Sequence, residues 1–485
     1  MKNQLCFVSA FLFGCQSVWG SLSIPNPENC VSSPSQCLAD EVCDPQDQIC
    51  HPALAMYAVS PSLSLTVGGG SVRILGERFL PNVKVGWQGQ PVADVQYVSP
   101  IELSFTLPAA QAGDWYTPIT LTNPTGQAVT RSDLFSYYSD EVRFSLNQYN
   151  EPRSARNIAS GDFNSDGKMD LAVIANSSTE IAICLGNGDG TIRSPTFVAS
   201  GGARDLLTLD VDGNGNLDLI VSGSGTVRTY FGNGKGGFTV GPSIPTGSLP
   251  EQLVWTKLSV GPERTLLVSD SVDKTLSLLT IHSDGTYSNR QTISTGVQMS
   301  EVAACDTSGD GIDELYFVDR VDGLHVAKAN GRTDYSVGVV PLSGCVALGL
   351  TCRDLNQDGR MDLLLACQNG LLPIYGQAGG MLTGAMLESG SALSTHVMAE
   401  DLNGDGWPDL VFGDQTQKAT LVKLSDRRGG YLLPSVLQYE AVGMGANSVL
   451  YRVADMDRDH KPDVLLGYPF AGMTTSVAIA MNRSR

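Results

Sequence analysis

DLNGDGWPD, residues 401–409, places oxygen-bearing side chains at its first, third, fifth and ninth positions and glycine at its sixth. The same nine-residue pattern recurs as DFNSDGKMD (162–170), DVDGNGNLD (210–218), DTSGDGIDE (306–314), DLNQDGRMD (354–362) and DMDRDHKPD (455–463). Successive first aspartates lie 48, 96, 48, 47 and 54 residues apart. The 96 is two periods, so one unit is hidden near residue 258, where LSVGPERTLLVSD keeps the strand–turn–strand rhythm without the acids. Seven units result.

Each unit has the same flanks. An apolar run precedes the loop (ARNIASG, RDLLTL, SEVAAC, VALGLTC, STHVMAE, NSVLYRVA) and another follows it (LAVIA, LIVSG, LYFVD, LLLAC, LVFGD, VLLGY). A third strand comes next, as in IAICLGNGDG (181–190) and VRTYFGNGKGG (227–237), then a fourth. Four strands in about 48 residues, repeated in series, predict the blades of a β-propeller over residues 139–485. The chain ends on VAIAMNRSR, the third strand of a unit, while VRFSLNQY (142–149) stands unassigned ahead of the first. That strand is expected to complete the last blade, which removes open sheet edges.

The loop chemistry points to a hard cation. Calcium takes six to eight oxygen ligands in loose geometry, which Asp and Asn on a tight turn supply. The candidate ligands are Asp162, Asn164, Asp166 and Asp170; Asp210, Asp212, Asn214 and Asp218; Asp306, Ser308, Asp310 and Glu314; Asp354, Asn356, Asp358 and Asp362; Asp401, Asn403, Asp405 and Asp409; and Asp455, Asp457, Asp459 and Asp463. Position 7 is free to offer its carbonyl, and Gly167, Gly215, Gly311, Gly359 and Gly406 allow the sharp turn. An EF-hand loop begins the same way but needs an acid at position 12 and flanking helices. Here position 12 is Val173, Val221, Phe317, Leu365, Phe412 or Leu466, so that reading fails. Asp, Asn and Gly are also generic turn formers; six such loops at a fixed period, each with an acid at position 9, outweigh that reading. About six Ca2+ sites are expected. The seventh loop, with His460 in place of glycine, is expected to be strained and weaker, and the third unit, shortened around Gly261-Pro262, to bind none.

With GNGDG after the third strand, this arrangement resembles the FG-GAP/VCBS repeat of integrin-α-like propellers over about 340 residues. The resemblance implies a calcium between the first two strands of a blade, at one face of the ring. Ahead of it, residues 52–138 carry six or seven short alternating strands, which predict a β-sandwich. Their order of Gly68-Gly69-Gly70, Gly76 to Phe79, Trp87-x-Gly89 and Leu134-Phe135-Ser136-Tyr137 resembles the IPT/TIG immunoglobulin-like family.

The front of the chain reads as exported. Lys2 precedes an apolar run over 5–14, too short for a permanent span, and Val18-x-Gly20 suits cleavage before Ser21. Leu12-Phe13-Gly14-Cys15 also resembles a lipobox, so both a free secreted form and a lipid anchor at Cys15 stand open. In residues 21–51, Cys30, Cys37, Cys43 and Cys50 lie in a stretch too polar to bury a core, and two disulfides are the expected staple. Zinc is the rival, without a C-x2-C pair to support it; connectivity stays open. Cys184, Cys305, Cys345, Cys352 and Cys367 are expected as small buried residues with at most two bridges. The fold class is thus all-β: a seven-bladed β-propeller preceded by an immunoglobulin-like β-sandwich and a small disulfide-rich segment.

The 485 residues carry a formal charge of −19, which argues against nucleic acid as partner. No segment after residue 20 is long and apolar enough to span a bilayer as a helix. No G-x-S-x-G, H-E-x-x-H or phosphate loop occurs, and the five histidines (His51, His282, His325, His396, His460) are scattered. The resemblances imply a non-enzymatic, cell-surface recognition or adhesion module with an extracellular protein or glycan as partner. Its binding surface is expected opposite the calcium loops. A lectin would repeat exposed aromatics at equivalent blade positions, yet Trp255 and Trp407 do not match. A calcium-dependent polysaccharide-active enzyme needs a convergent acid–base constellation that the sequence does not display.

Overall fold

The computed structural model describes residues 41–43, 50–110, 117–139, 141–149, 155–175, 179–258, 265–321, 323–330, 334–378, 380–389, 393–414, 419–439, 450–468 and 477–484. The leader, the candidate anchor Cys15, Cys30, Cys37 and the turn at Gly261-Pro262 lie outside them. Among the described residues every regular element is a β-strand, and no helix is long and apolar enough to cross a membrane. The all-β expectation holds. Glu41–Cys43 and Cys50–Pro52 form a short antiparallel pair in which the backbones of Cys43 and Cys50 are opposite one another.

The chain divides into two compact units, residues 1–58, 73–105 and 119–131 in one, and 59–72, 106–118 and 132–485 in the other. The first holds most of two four-stranded sheets. One runs in the order Ala55–Ser60, Ser71–Glu77, Glu102–Thr106, Gln96–Ser99; the other Ala128–Arg131, Ile119–Thr122, Lys84–Trp87, Gln90–Pro91. Ser71–Glu77 alternates exposed and buried residues strictly, the period-2 pattern of a strand with one wet face. Trp87 and Phe105 bring the two sheets together edge-on, with ring centroids 5.3 Å apart and both side chains buried. Gly76 is needed for close approach: a Cβ there would sit 2.1 Å from the Ala55 carbonyl and 2.6 Å from the Phe79 ring.

The second unit contains seven four-stranded antiparallel sheets in series. Their first strands are Ala155–Gly161, Ala203–Leu209, Pro250–Thr256, Glu301–Cys305, Ala347–Arg353, Leu393–Glu400 and Leu450–Ala454. The fifth sheet adds a two-residue strand, Glu388–Ser389. In the seventh, three strands come from the C-terminus and the fourth is Phe144–Tyr149, antiparallel to Val477–Asn482. The first strand of each sheet packs on the first strand of the next, and that of the seventh on that of the first.

Second strands are buried on both faces, which is why they read as unbroken apolar runs. Every neighbouring pair of sheets has its own apolar cluster. Phe163, Ile174 and Ile183 meet Leu206, Leu219 and Tyr230 between the first and second sheets. Leu465, Ile479 and Met481 meet Ile158, Val173 and Cys184 between the seventh and first. Two disulfides, Cys305–Cys352 and Cys345–Cys367, tie the fourth sheet to the fifth and close the fifth upon itself, and Cys184 is a free buried thiol.

A belt of polar side chains also links the first strands. Arg452 donates to Asn157 Oδ1 at 3.3 Å. Asn157 Nδ2 donates to Asp205 Oδ1, and Asp205 Oδ2 accepts from Leu253 N at 2.7 Å. Gln252 Oε1 accepts from Val302 N at 2.9 Å, and Glu301 Oε2 from Leu350 N at 3.3 Å. Each link crosses from one sheet to its neighbour. Asp205 also holds Leu206 N at 2.8 Å, so its loss strands three buried donors. Asp205→Ala should therefore lower stability by about 3 kcal/mol or more, read as a shift of the chemical denaturation midpoint; a change under about 1 kcal/mol would show the belt to be incidental.

Candidate metal sites

The six acidic loops join the first and second strands of six of the seven sheets. Their local geometry repeats. The first aspartate folds the loop over itself by accepting backbone N–H groups: Asp162 takes Asp166 N at 3.1 Å and Gly167 N at 2.7 Å, and Asp401 takes Gly404, Asp405 and Gly406 N at 2.8, 3.1 and 2.8 Å. Asp210, Asp306 and Asp354 repeat this arrangement. The fifth residue accepts the seventh's N–H, from Asp166–Lys168 at 3.0 Å to Asp459–Lys461 at 3.1 Å. Gly167, Gly215, Gly311, Gly359 and Gly406 have φ between 75° and 85°, and His460 at the matching place has φ 62°. The seventh loop thus keeps the turn with a side chain in a backbone region that favours glycine.

The ninth residue is a latch. In five loops one carboxylate oxygen accepts the N–H of the loop's second residue and the other accepts an N–H near the end of the third strand. Asp170 holds Phe163 N (2.9 Å) and Gly186 N (2.8 Å); Asp218 holds Val211 N (2.9 Å) and Gly232 N (2.8 Å). Asp362, Asp409 and Asp463 hold Gly376, Ser425 and Asn482 N at 2.8, 2.8 and 2.7 Å in the same way. All five are fully buried. In the fourth loop the longer Glu314 accepts from both Thr307 N and Thr307 Oγ1 at 3.0 Å and has Lys328 Nζ 3.7 Å away.

These carboxylates lie among others of like charge. Among the described residues, Asp210, Asp212 and Asp218, and Asp455, Asp457 and Asp463, each bring three carboxylate oxygens within 4.8 Å of one another. Asp455 Oδ1, Asp457 Oδ1 and Ser308 Oγ are buried with no hydrogen-bond partner. Orphaned oxygens of this kind are what a cation site needs. Asn164, Asn356 and Asn403 turn Oδ1 toward the N–H of Asp166, Asp358 and Asp405 inside their loops, at 3.0, 2.9 and 3.2 Å. At position 5 of its loop, Asn214 donates its amide to Asp212 at 2.9 Å and accepts Asn216 N at 2.7 Å. Asp310 and Asp358 accept from Ile312 and Arg360 N, both at 2.9 Å. The donor set, hard oxygens with few nitrogen or sulfur rivals, fits Ca2+.

Basic groups reach some of the loops from outside. Arg427 stands 3.7 Å from Asp405 and its guanidinium caps the Tyr138 ring at 4.4 Å. Ser139 and Asn403 exchange two hydrogen bonds, Ser139 N to Asn403 O at 3.0 Å and Asn403 Nδ2 to Ser139 O at 2.9 Å. Arg483 pairs with Asp457 at 2.5 Å, and inside the seventh loop its own Lys461 Nζ lies 3.6 Å from Asp459. Neighbouring loops also touch: Arg360 donates to Ser308 O, Gln357 to Gly406 O, and Arg458 to Gly167 O. None of these cross-loop partners was foreseeable, since each lies about one period away in sequence or at the other end of the chain.

The FG-GAP-like repeat family matches residues 162–221, 354–412 and 401–466, and the IPT/TIG domain family matches 54–137. The chain carries FG-GAP-like repeats behind an IPT/TIG domain. No curated protein matches it. Two solved structures resemble the repeat protein weakly. One is an auxiliary nutrient binding protein from Bacteroides ovatus, 10% identical over 89% of this chain and 98% of that one, with a TM-score of 0.38. The other is an Agrocybe aegerita lectin described as recognising non-reducing terminal N-acetylglucosamine, 15% identical over 83% of this chain and 100% of that one, with a TM-score of 0.43.

Burial pushes the latch carboxyls up from the ordinary aspartate range: Asp409 to about 8, Asp463 to about 7 and Asp362 to about 6, against backbone hydrogen bonds that pull the other way. Asp170 and Asp218 are raised for the same reason. With folded values above unfolded ones, these carboxyls bind more protons in the cation-free fold than in the unfolded chain between pH 4 and 8. Their joint contribution should therefore raise stability as pH falls from 8 toward 5, outweighing the opposite contribution of His396, which burial holds at about 4. A bound divalent ion displaces those protons and should reverse the trend. Thermal unfolding in chelator across this range checks the sign; a melting temperature that falls with acidification would refute it.

Proposed function

We propose that this repeat protein is an exported, cell-surface recognition module, a closed seven-bladed β-propeller whose calcium ions are structural and occupy six of its seven blades. The observation that carries the reading is that one oxygen-rich loop recurs between the first two strands in six of seven successive sheets. The circle of first-strand contacts, and the pairing of Phe144–Tyr149 with Val477–Asn482, support closure. Positions 1, 3, 5 and 9 of each loop would hold the ion with the position-7 carbonyl. The ion would supply positive charge where acids are forced together and would leave no reacting group exposed. The short apolar run at 5–14 and the two disulfides in the fourth and fifth sheets support export into an oxidising compartment.

In this reading calcium stiffens one face of the ring, and the mouth at the opposite ends of the first strands meets the partner, an extracellular protein or glycan. Extracellular modules bind calcium with Kd of about 0.1–1 mM. At ten times Kd one site adds about 1.4 kcal/mol, and six add about 8 kcal/mol, comparable with the whole stability of a domain. The ions' +12 would take the net charge from −19 to about −7.

Calcium at ten times its Kd should thus raise the melting temperature of the chelated protein by many degrees, with about six ions bound per chain by equilibrium dialysis. Asp210→Asn with Asp212→Asn should remove one ion and about 1.4 kcal/mol. A melting temperature indifferent to chelator would sink the structural role. Recognition is tested by capture from cell-envelope extracts with calcium against chelator: calcium-dependent retention of one protein or glycan is expected, and no retention under either condition would count against it.

A further inference from the structure

The mouth of the first strands has a chemistry opposite to that of the acidic loops. Five of the seven first strands carry a register shift near their start, and in four of them it passes over a single residue, at Ala155/Asn157, Ala203/Asp205, Pro250/Gln252 and Ala347/Gly349. The extra residue in each is Arg156, Arg204, Glu251 and Leu348, and a bulge re-aims the side chain it carries. All four line one cavity of about 420 Å³, together with Arg320, Glu301, His396 and Arg452. Guanidinium groups from the first, second, fourth and seventh sheets therefore converge on a single recess of a chain whose net charge is −19.

Glu251 shows what this recess accepts. Its Oε1 lies 3.8 Å from Arg156 and 3.6 Å from Arg204, while its Oε2 accepts from Ser271 Oγ at 2.8 Å. One carboxylate oxygen is shared at long range by two guanidiniums, each of which has five N–H donors. Burial also pushes the Glu301 carboxyl up to about 8 and raises Asp205. Four arginines thus share the recess with three acids, Asp205, Glu251 and Glu301. The volume suits a small molecule rather than a folded loop, and the amides of Asn157 and Gln252 add neutral hydrogen-bonding groups to the wall.

We propose that this mouth is a binding site for a small hydrophilic carboxylate, held by Arg156 and Arg204 with Arg452 alongside. The guanidinium fork matches a planar carboxylate two-to-two, which lysine does not. The ligand's source is either an acidic sugar or an aliphatic dicarboxylic acid, which share this chemistry. The proposal rests on the propeller reading above, because it needs the first strands to surround the recess.

Titration calorimetry on the full calcium-loaded protein with glucuronate, succinate, glucose and inorganic phosphate tests it. Glucuronate or succinate should bind at least tenfold more tightly than glucose or phosphate, and whichever of the two binds identifies the source. Arg156→Ala with Arg204→Ala should weaken binding at least tenfold. Glu251→Gln, which keeps a partner for Ser271 but removes the internal competitor, should tighten it severalfold. Glucose or phosphate bound as tightly as the carboxylates, no binding at all, or Glu251→Gln without effect would overturn the site. Melting curves of the same samples with and without chelator report the calcium reading separately: a normal calcium response without carboxylate binding sinks only the mouth, whereas carboxylate binding in a protein indifferent to calcium sinks only the structural role of the ions.

Discussion

A buried carboxylate at the ninth position of five of the six loops is the constraint on which the repeat depends. In five sheets it closes two backbone hydrogen bonds at once, one to the start of its own loop and one near the end of the third strand. The geometry binds three strands of a sheet through one side chain, but it puts a negative charge where water is excluded, beside two or three more. Desolvation and like-charge repulsion then act in the same direction. A cation relieves both, whereas hydrophobic packing relieves neither. In six of the seven sheets the second strand, the most apolar part, begins directly with that aspartate or glutamate.

The repeat was legible because it is local. A loop of nine residues fixes its own turn through bonds between neighbours, so its residue types appear together in the sequence, and the apolar runs on either side announce strands buried on both faces. Trp87 and Gly76 were legible in the same way, as parts of an ordered motif, and the coordinates give their reasons: a ring sealed against Phe105 and a backbone pressed against Ala55. The His460 substitution also read correctly as a strained turn, with its positive φ.

What the sequence hid are relations across sheets. Asp205 looks like any polar residue in a strand, yet it gathers donors from residues 157, 206 and 253. Arg156 and Arg204 look like solvated charges until the bulges beside them are seen to turn both toward one recess. The pairing of Cys305 with Cys352 and of Cys345 with Cys367 is set by strand register, which spacing alone does not reveal. The compact units also cut through residues 52–138 rather than around them, because Leu63–Leu65 pairs with Ser136–Tyr138 and the adjoining Ser139 bonds to Asn403 within the larger unit.

The partnership of Phe144–Tyr149 with Val477–Asn482 has a bearing on biosynthesis. The ribosome makes the first of these strands more than three hundred residues before the second, so its backbone N–H and C=O groups wait for their partner until Val477–Asn482 is made. Met456 and Arg458, whose carbonyl and guanidinium reach Gly190 and Gly167, likewise arrive late. The seventh sheet is thus assembled only after Val477–Asn482 has been made, and a chain that stops before residue 477 would carry Phe144–Tyr149 as an unsealed edge, open to pairing with another copy.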